Sequence, residues 1–192
     1  NPTGATIGDP LGTVTILDNE PIPSITINDV TVTEGTNPTA SLNICISAAS
    51  ATAVTVDYAT SNGTALSATD YTTTSGTATI PAGQTCVAVT FPITDDMVYE
   101  PTELFNVNLT NPTGATIGDP LGTVTILDND GAPIITINDV TVTEGTNPTA
   151  SLNICISAAS ATAVTVDYAT SNGSALSTSD YTTTSGTATI PA

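Results

Sequence analysis

The chain has 192 residues, 18 of them aspartate or glutamate and none lysine, arginine or histidine, for a formal charge of −18. No internal salt bridge can form, so counter-charge must come from bound metal ions, a cationic partner or screening salt, and nucleic acid is excluded as a partner because no side chain can neutralise a phosphate. At 39% hydrophobic and 9% charged residues, rich in Thr, Val and Ile, the chain reads as folded and β-rich; no apolar run approaches the roughly 20 residues of a membrane helix and no secretory leader lies in this window.

Residues 1–20 recur at 111–130 with one change, and residues 21–82 recur at 131–192 with six, which sets a period of 110 residues. That is far longer than a solenoid turn and matches one compact domain. The expected organisation is the C-terminal strand of a preceding module in 1–20, a complete module in 21–130 and the N-terminal part of a following module in 131–192. The window reads as a segment of a longer tandem array.

Within 21–130 the apolar residues alternate with period two and predict seven strands. Strand A carries Ile25 and Ile27 on one phase but Val30 and Val32 on the other. A bulge near Asn28-Asp29 that passes the strand from one sheet to the other accounts for the slip. Strand B carries Leu42, Ile44 and Ile46, and strand C carries Val54, Val56 and Tyr58. Strand D spans 76–80. Strand E presents Val87, Val89, Phe91 and Ile93, strand F Phe105, Val107 and Leu109, and strand G (122–127) Val124 and Ile126. Turn clusters separate them, among them Ser61-Asn62-Gly63 and Asn111-Pro112-Thr113-Gly114. The predicted fold is all-β: tandem antiparallel sandwiches of immunoglobulin-like type.

Strand parity gathers the acids. If A runs up, so do C, E and G, and the AB, CD and EF loops share one end with the exit from G. Glu34, Asp95, Asp96, Glu100, Glu103, Asp128 and Asp130, seven of the eleven acids of 21–130, fall at that end, with Asp70 and the amide Asn62 in the CD loop beside them. Two carboxylates ~4 Å apart repel by about 4 kcal/mol at an effective dielectric of 20, and a whole domain is stable by only ~5–15 kcal/mol. With no basic residue present, a metal is expected there. All-oxygen donors on flexible loops favour Ca²⁺ over Mg²⁺, and the number of acids suggests more than one ion per module. The other reading of the acids is a solvated surface selected for solubility or for life in salt. Asp9, Asp119, Asp29, Asp57 and Asp139 are expected only to cap turns or face solvent.

The residues Glu34-Gly35, Val56-Asp57-Tyr58, Asn62-Gly63-Thr64-Ala65, Asp70-Tyr71, Ile93-Thr94-Asp95-Asp96, Glu100 with Glu103 and Phe105, and Thr125-Ile126-Leu127-Asp128-Asn129-Asp130 resemble the Calx-β domain in the right order. That family is an immunoglobulin-like sandwich found in sodium–calcium exchangers, in an integrin and in long repetitive microbial surface proteins. The resemblance implies calcium ligands at Glu34, Asn62, Asp95, Asp96, Glu100, Glu103, Asp128, Asn129 and Asp130, with repeat equivalents Asp18, Asn19, Glu20, Glu144 and Asn172. Two positions depart from it: Asn62 stands where calcium-binding members can have Asp, and Met97 where a third acid can follow.

Cys45 on strand B and Cys86 at the start of E are both out of phase with the apolar faces, and B and E are neighbours in this topology. A disulfide on the outer face fits, as in a chain folded outside the cytoplasm; two free outward thiols are the other reading. Cys155 repeats Cys45. Sequons begin at Asn62, Asn108 and Asn172, and sugar on Asn62 would compete with a metal role. The chain lacks the histidine, lysine and arginine of most general-acid, general-base and oxyanion chemistry, so no enzyme is expected. The expected function is a calcium-stiffened, disulfide-stapled stalk or fibre segment of an extracellular or cell-surface microbial protein. Its expected partners are neighbouring modules and other copies in a fibre. A calcium-sensing regulatory module and an ice- or carbohydrate-binding threonine surface are the alternatives.

Overall fold

A computed structural model describes residues 2–17, 19–147 and 149–192. In chain order its strands are β1 (Ser24–Ile27), β2 (Val30–Thr33), β3 (Thr39–Ile46), β4 (Val54–Asn62), β5 (Ser75–Ile80), β6 (Cys86–Pro92), β7 (Val98–Tyr99), β8 (Glu103–Thr113), β9 (Thr116–Ile117), β10 (Leu121–Leu127), β11 (Ile135–Ile137), β12 (Ile154–Ile156), β13 (Ala159–Ser160), β14 (Val164–Ala169) and β15 (Ser185–Ile190). One sheet has the order β6-β3-β1-β9 and the facing sheet β2-β10-β8-β4-β5. The two form an all-β sandwich.

The phase slip in strand A takes the form of a change of sheet. β1 pairs antiparallel with β3 (Ile25↔Ile46, Ile27↔Ile44), whereas β2 runs parallel to β10 (Val30↔Val124 to Thr33↔Leu127). Between them, Asn28 accepts a bond from the Asn43 N–H and Asp29 accepts one from Thr123 N–H at 2.7 Å. These two side chains satisfy backbone donors that the crossover takes out of either ladder. The alternating residues of strands A to G then meet inside: Leu42, Ile44, Val54, Val56, Phe91, Phe105, Val107 and Val124 are all fully buried. Tyr71 stacks on Phe105 at 3.9 Å between ring centroids, and Phe91 meets Phe105 edge-on at 6.2 Å. Tyr71 comes from the CD loop, so this aromatic stack ties that loop to the core and holds its neighbour Asp70 at the end of the sandwich.

Cys45 and Cys86 face each other in the β3–β6 register and are disulfide-bonded across 41 residues of sequence. Cys155 is a free, exposed thiol. Periodicity did not signal β7 and β9, each two residues long. β9 lies parallel to β1, inside the connection between strands F and G.

The following repeat reproduces two of these pairings in the same register. β11 and β12 pair as β1 and β3 do (Ile135↔Ile156), and β14 and β15 pair as β4 and β5 do (Val164↔Ile190). In the first repeat segment, Leu11, Val14, Ile16 and Leu17 are exposed, whereas Val124 and Ile126, which match Val14 and Ile16, are core residues. No helix among the described residues is long and apolar enough to cross a membrane.

Candidate metal centre

Glu34 continues the β2–β10 ladder by one step, its N–H donating to Leu127 O at 3.1 Å. The side chain at that step turns inward and is 3% exposed. The chain then reverses at Gly35 with φ +64°, where a Cβ would run into Asn129 Nδ2 and lie 2.7 Å from Asp95 Oδ1. Only glycine tolerates both that backbone conformation and that approach. Beyond β10, Asp128 accepts from the N–H of Glu100 and of Asp130, each at 2.8 Å, while Asn129 Nδ2 donates to Glu34 O and to Asp95 Oδ1. The AB turn, the EF loop and the exit from strand G are thereby locked together.

Two trios of carboxylates result. Glu34, Asp128 and Asp130 offer ligand oxygens within 4.8 Å of one another, and so do Asp70, Glu100 and Glu103. Glu34 and Asp128 of the first trio and all three acids of the second line one recess, together with Pro101 and Ile126. Asp70 is 5% exposed and its Oδ2 accepts from Leu66 N–H at 2.6 Å.

The crowding shows in the ionisation. Burial, helped by side-chain hydrogen bonding with Asp128, opposed by a hydrogen bond from the Asn129 backbone and added to by the charges of Asp128 and Asp96, pushes the Glu34 carboxyl up to about 7. Burial, then hydrogen bonding and charge from Asp70 and the charges of Glu100 and Glu34, pushes Glu103 up to about 7. Glu100 and Asp130 are raised by desolvation and by the acids around them. Each carboxyl therefore resists ionising while no cation is present. Glu34 Oε1 and Asp130 Oδ2 are buried without a hydrogen-bond partner, an arrangement that folded proteins avoid because it carries the full desolvation penalty. A cation between these oxygens would remove both the orphaned acceptors and the repulsion. The donor set is entirely oxygen, which fits a hard divalent ion.

A pH dependence follows. Glu34 and Glu103 ionise near their ordinary value of 4.5 when unfolded and near 7 when folded, so their contribution to stability is complete below pH 4.5 and is lost as pH rises through 7. In chelator, the melting midpoint is expected to fall between pH 5 and pH 8. Saturating divalent cation should reverse the trend, because it binds the ionised form. Melting curves at the two pH values check this; a midpoint that rises with pH in chelator contradicts it.

The sequence-predicted residues divide. Glu34, Glu100, Glu103, Asp128 and Asp130 fall in the two trios, and Asn129 and Asp95 join the rim. Asp96 is exposed, with Oδ1 accepting from Val98 N–H at 2.7 Å. Asn62 is not brought to the site: its Oδ1 accepts from Tyr71 Oη–H at 2.6 Å and from Ser67 N–H at 3.1 Å, which uses both lone pairs to brace the CD loop. Asn172 does the same with Tyr181 and Ser177. Asn19, Glu20 and Glu144 are exposed, and Asp18 lies outside the described residues. Asp70, left out of the predicted ligands, is a member of the second trio; its place in a loop at the acidic end, next to the core tyrosine Tyr71, was the available signal. Among the acids expected to be structural, Asp119 accepts from Leu121 N–H and Asp57 accepts from Thr77 and Asn111, which holds the Asp57 carboxyl below its usual range.

Among solved structures, the apo-form Calx CBD1 domain is similar at 27% identity and TM-score 0.53, covering 57% of this chain and 100% of its own. CBD12 from CALX1.2 is 26% identical with TM-score 0.53 over 88% of this chain and 69% of its own, and the calcium binding domain CBD12 of CALX1.1 is 26% identical with TM-score 0.53 over 87% and 70%. No curated protein matches the chain. The Calx-beta domain family matches residues 18–131 and again 128–190, the same 110-residue repeat seen in the sequence and in the strand pairings, so the chain belongs to the Calx-beta domain family.

Proposed function

We propose that the chain is a calcium-binding structural repeat, in which the metal sites stiffen the joint between successive modules of an extracellular stalk or fibre. The observation that carries this reading is the position of β7. It lies in the EF loop between Asp96 and Glu100 and pairs in parallel with β13 of the following repeat, Val98↔Ala159 and Tyr99↔Ser160. Ala161 N–H donates to Tyr99 O at 3.0 Å, and Ser160 is buried. The loop that supplies carboxylates to the recess is thus the loop that grips the next module. Glu34, Asp128 and Asp130 would hold one ion and Asp70, Glu100 and Glu103 another, with Asp95, Asp96 and Asn129 adjacent. Bound calcium supplies charge neutralisation and fixes the loop. The bonded Cys45–Cys86 pair supports a location outside the reducing cytoplasm. Near-identical repeats suit a spacer, which needs length more than differently tuned sites.

Amide exchange tests the joint. Ala161 N–H is expected to exchange at least tenfold more slowly in millimolar calcium than in chelator, and small-angle scattering should give a longer maximum dimension with calcium. Equal protection and equal dimensions in the two states would remove the stiffening role. A second reading, a calcium sensor, is favoured by the likeness to the calcium binding domain CBD12 of CALX1.1. A sensor would show a large change in the EF loop with no gain in length.

A further inference from the structure

The sandwich has four strand edges: β6 and β9 in one sheet, β2 and β5 in the other. Open edges pair with other chains unless they are short, charged, interrupted by proline or covered. Three of the four are defended in one of these ways. β9 is two residues long and runs into Asp119-Pro120. β2 is flanked by Asp29 and Glu34, so an approaching copy would bring like charges together. β6 ends at Pro92, whose carbonyl is taken by Thr72 N–H, and the CD loop closes over its end through the Tyr71↔Ile93 bridge.

β5 is the least defended. Pro81 follows its last residue, but the strand itself, Ser75-Gly76-Thr77-Ala78-Thr79-Ile80, contains no charge and no proline, and its pairing with β4 is regular along all six residues. In a chain of charge −18, residues 71–94 carry no acid at all. The direction of its free groups follows from the ladder. Thr74 N–H donates to Thr60 Oγ1 and Thr74 O accepts from Thr60 N–H, so Thr74 points toward β4. Gly76, Ala78 and Ile80 share that parity, and Ser75, Thr77 and Thr79 therefore direct both N–H and C=O outward from the sheet.

We infer that β5 is a self-association edge, at which a second copy of this chain adds its own β5 antiparallel and extends the five-stranded sheet across a two-fold axis. Thr77 meets the partner copy's Thr77, and Ser75 meets its Thr79, each pair exchanging both backbone bonds. The charge distribution selects this occupant: two copies repel at their acidic ends, and the uncharged edge is where they can approach. The acids nearest the contact are the two Asp57 carboxylates. They sit three strand spacings apart, ~14 Å, beyond the screening length of ~8 Å at physiological salt. The same six residues recur as β15, again at the end of a sheet, so a tandem chain offers the edge once per repeat.

The experiment uses the 192-residue chain with Cys155 alkylated, so that no intermolecular disulfide can form. Sedimentation is measured from about 10 µM to 1 mM in 0.15 M and in 0.01 M salt, and amide exchange is read residue by residue. At 0.15 M salt the chain is expected to associate reversibly, with exchange at Ser75, Thr77 and Thr79 slowed at least tenfold at high concentration and exchange along β2 unchanged. At 0.01 M salt, where screening extends to ~30 Å, association should weaken. Replacing Thr79→Pro together with Thr189→Pro removes an N–H that β4 does not use, and is expected to raise the dissociation constant at least tenfold while the disulfide and melting transition remain. Association that leaves the three amides unprotected, as it would through the exposed apolar residues of 134–142, overturns the inference. So does a folded variant that associates like the parent. If the variant fails to fold, exchange in the parent chain decides alone.

Discussion

Millimolar calcium is expected to raise the melting midpoint of the module by roughly 10 °C or more. A ligand at 100 times its dissociation constant stabilises the native state by about 2.7 kcal/mol, and two occupied trios would double that. Each kcal/mol corresponds to about 4 °C or more in a domain of this size. The opposing term is already in the fold: Glu34 Oε1 and Asp130 Oδ2 are buried without partners, and Glu34 and Glu103 ionise only near 7. Glu34→Gln separates the parts of the argument. In chelator it removes a charge that has no counter-charge, so the variant should melt at or above the parent temperature; in calcium it should lose most of the gain. A parent midpoint that does not move between chelator and millimolar calcium, together with calorimetry showing no heat of binding, would refute the metal reading for both trios.

Opening the Cys45–Cys86 bond is expected to cost the module roughly 4 kcal/mol, from the entropy of closing a loop of about 40 residues. The bond joins β3 to β6, an edge strand with no sheet neighbour on its other side. Without it, β6 depends on its ladder with β3 and on Val89 and Phe91 in the core. Cys45→Ala with Cys86→Ala leaves no thiol to re-form and should lower the midpoint by more than 10 °C, while the β4, β8 and β10 amides keep their order of exchange protection. A loss below about 1 kcal/mol would mean that the staple constrains little in the unfolded chain.

The strands were legible because each side chain has only two faces to choose between. Leu42, Ile44, Phe105 and Val107 had to share an interior, and the slip between Ile27 and Val30 could be absorbed only by a change of sheet. The outward phase of Cys45 and Cys86 on adjacent strands identified a possible bond for the same reason. The ligand set was less legible, because carboxylates and amides in loops have no period to betray their direction. Asn62 ends β4 and Asp70 lies in the loop that follows; the Tyr71 hydroxyl claims the amide, while the acid joins Glu100 and Glu103. Nothing in the residue types distinguishes those two outcomes. β7 was invisible because two residues give no pattern, and its partner lies in another repeat.

The parallel pairing of β2 with β10 governs how the module responds to tension. The chain reaches the foot of β2 from β1 in the other sheet and leaves from the head of β10, so a pull transmitted through β1 slides β2 and β10 past each other in opposite directions. Val30↔Val124, Thr31↔Thr125, Val32↔Ile126 and Thr33↔Leu127 are then loaded together in shear, whereas a hairpin would peel open one pair at a time. The Glu34 N–H to Leu127 O bond adds a further rung at the head of this patch, directly beside the Glu34 and Asp128 carboxylates. Forced extension is governed by the rate of crossing the unfolding barrier, and that rate is set by the patch breaking all at once. A cation held between Glu34 and Asp128 would join the two sliding strands at the point where the load concentrates.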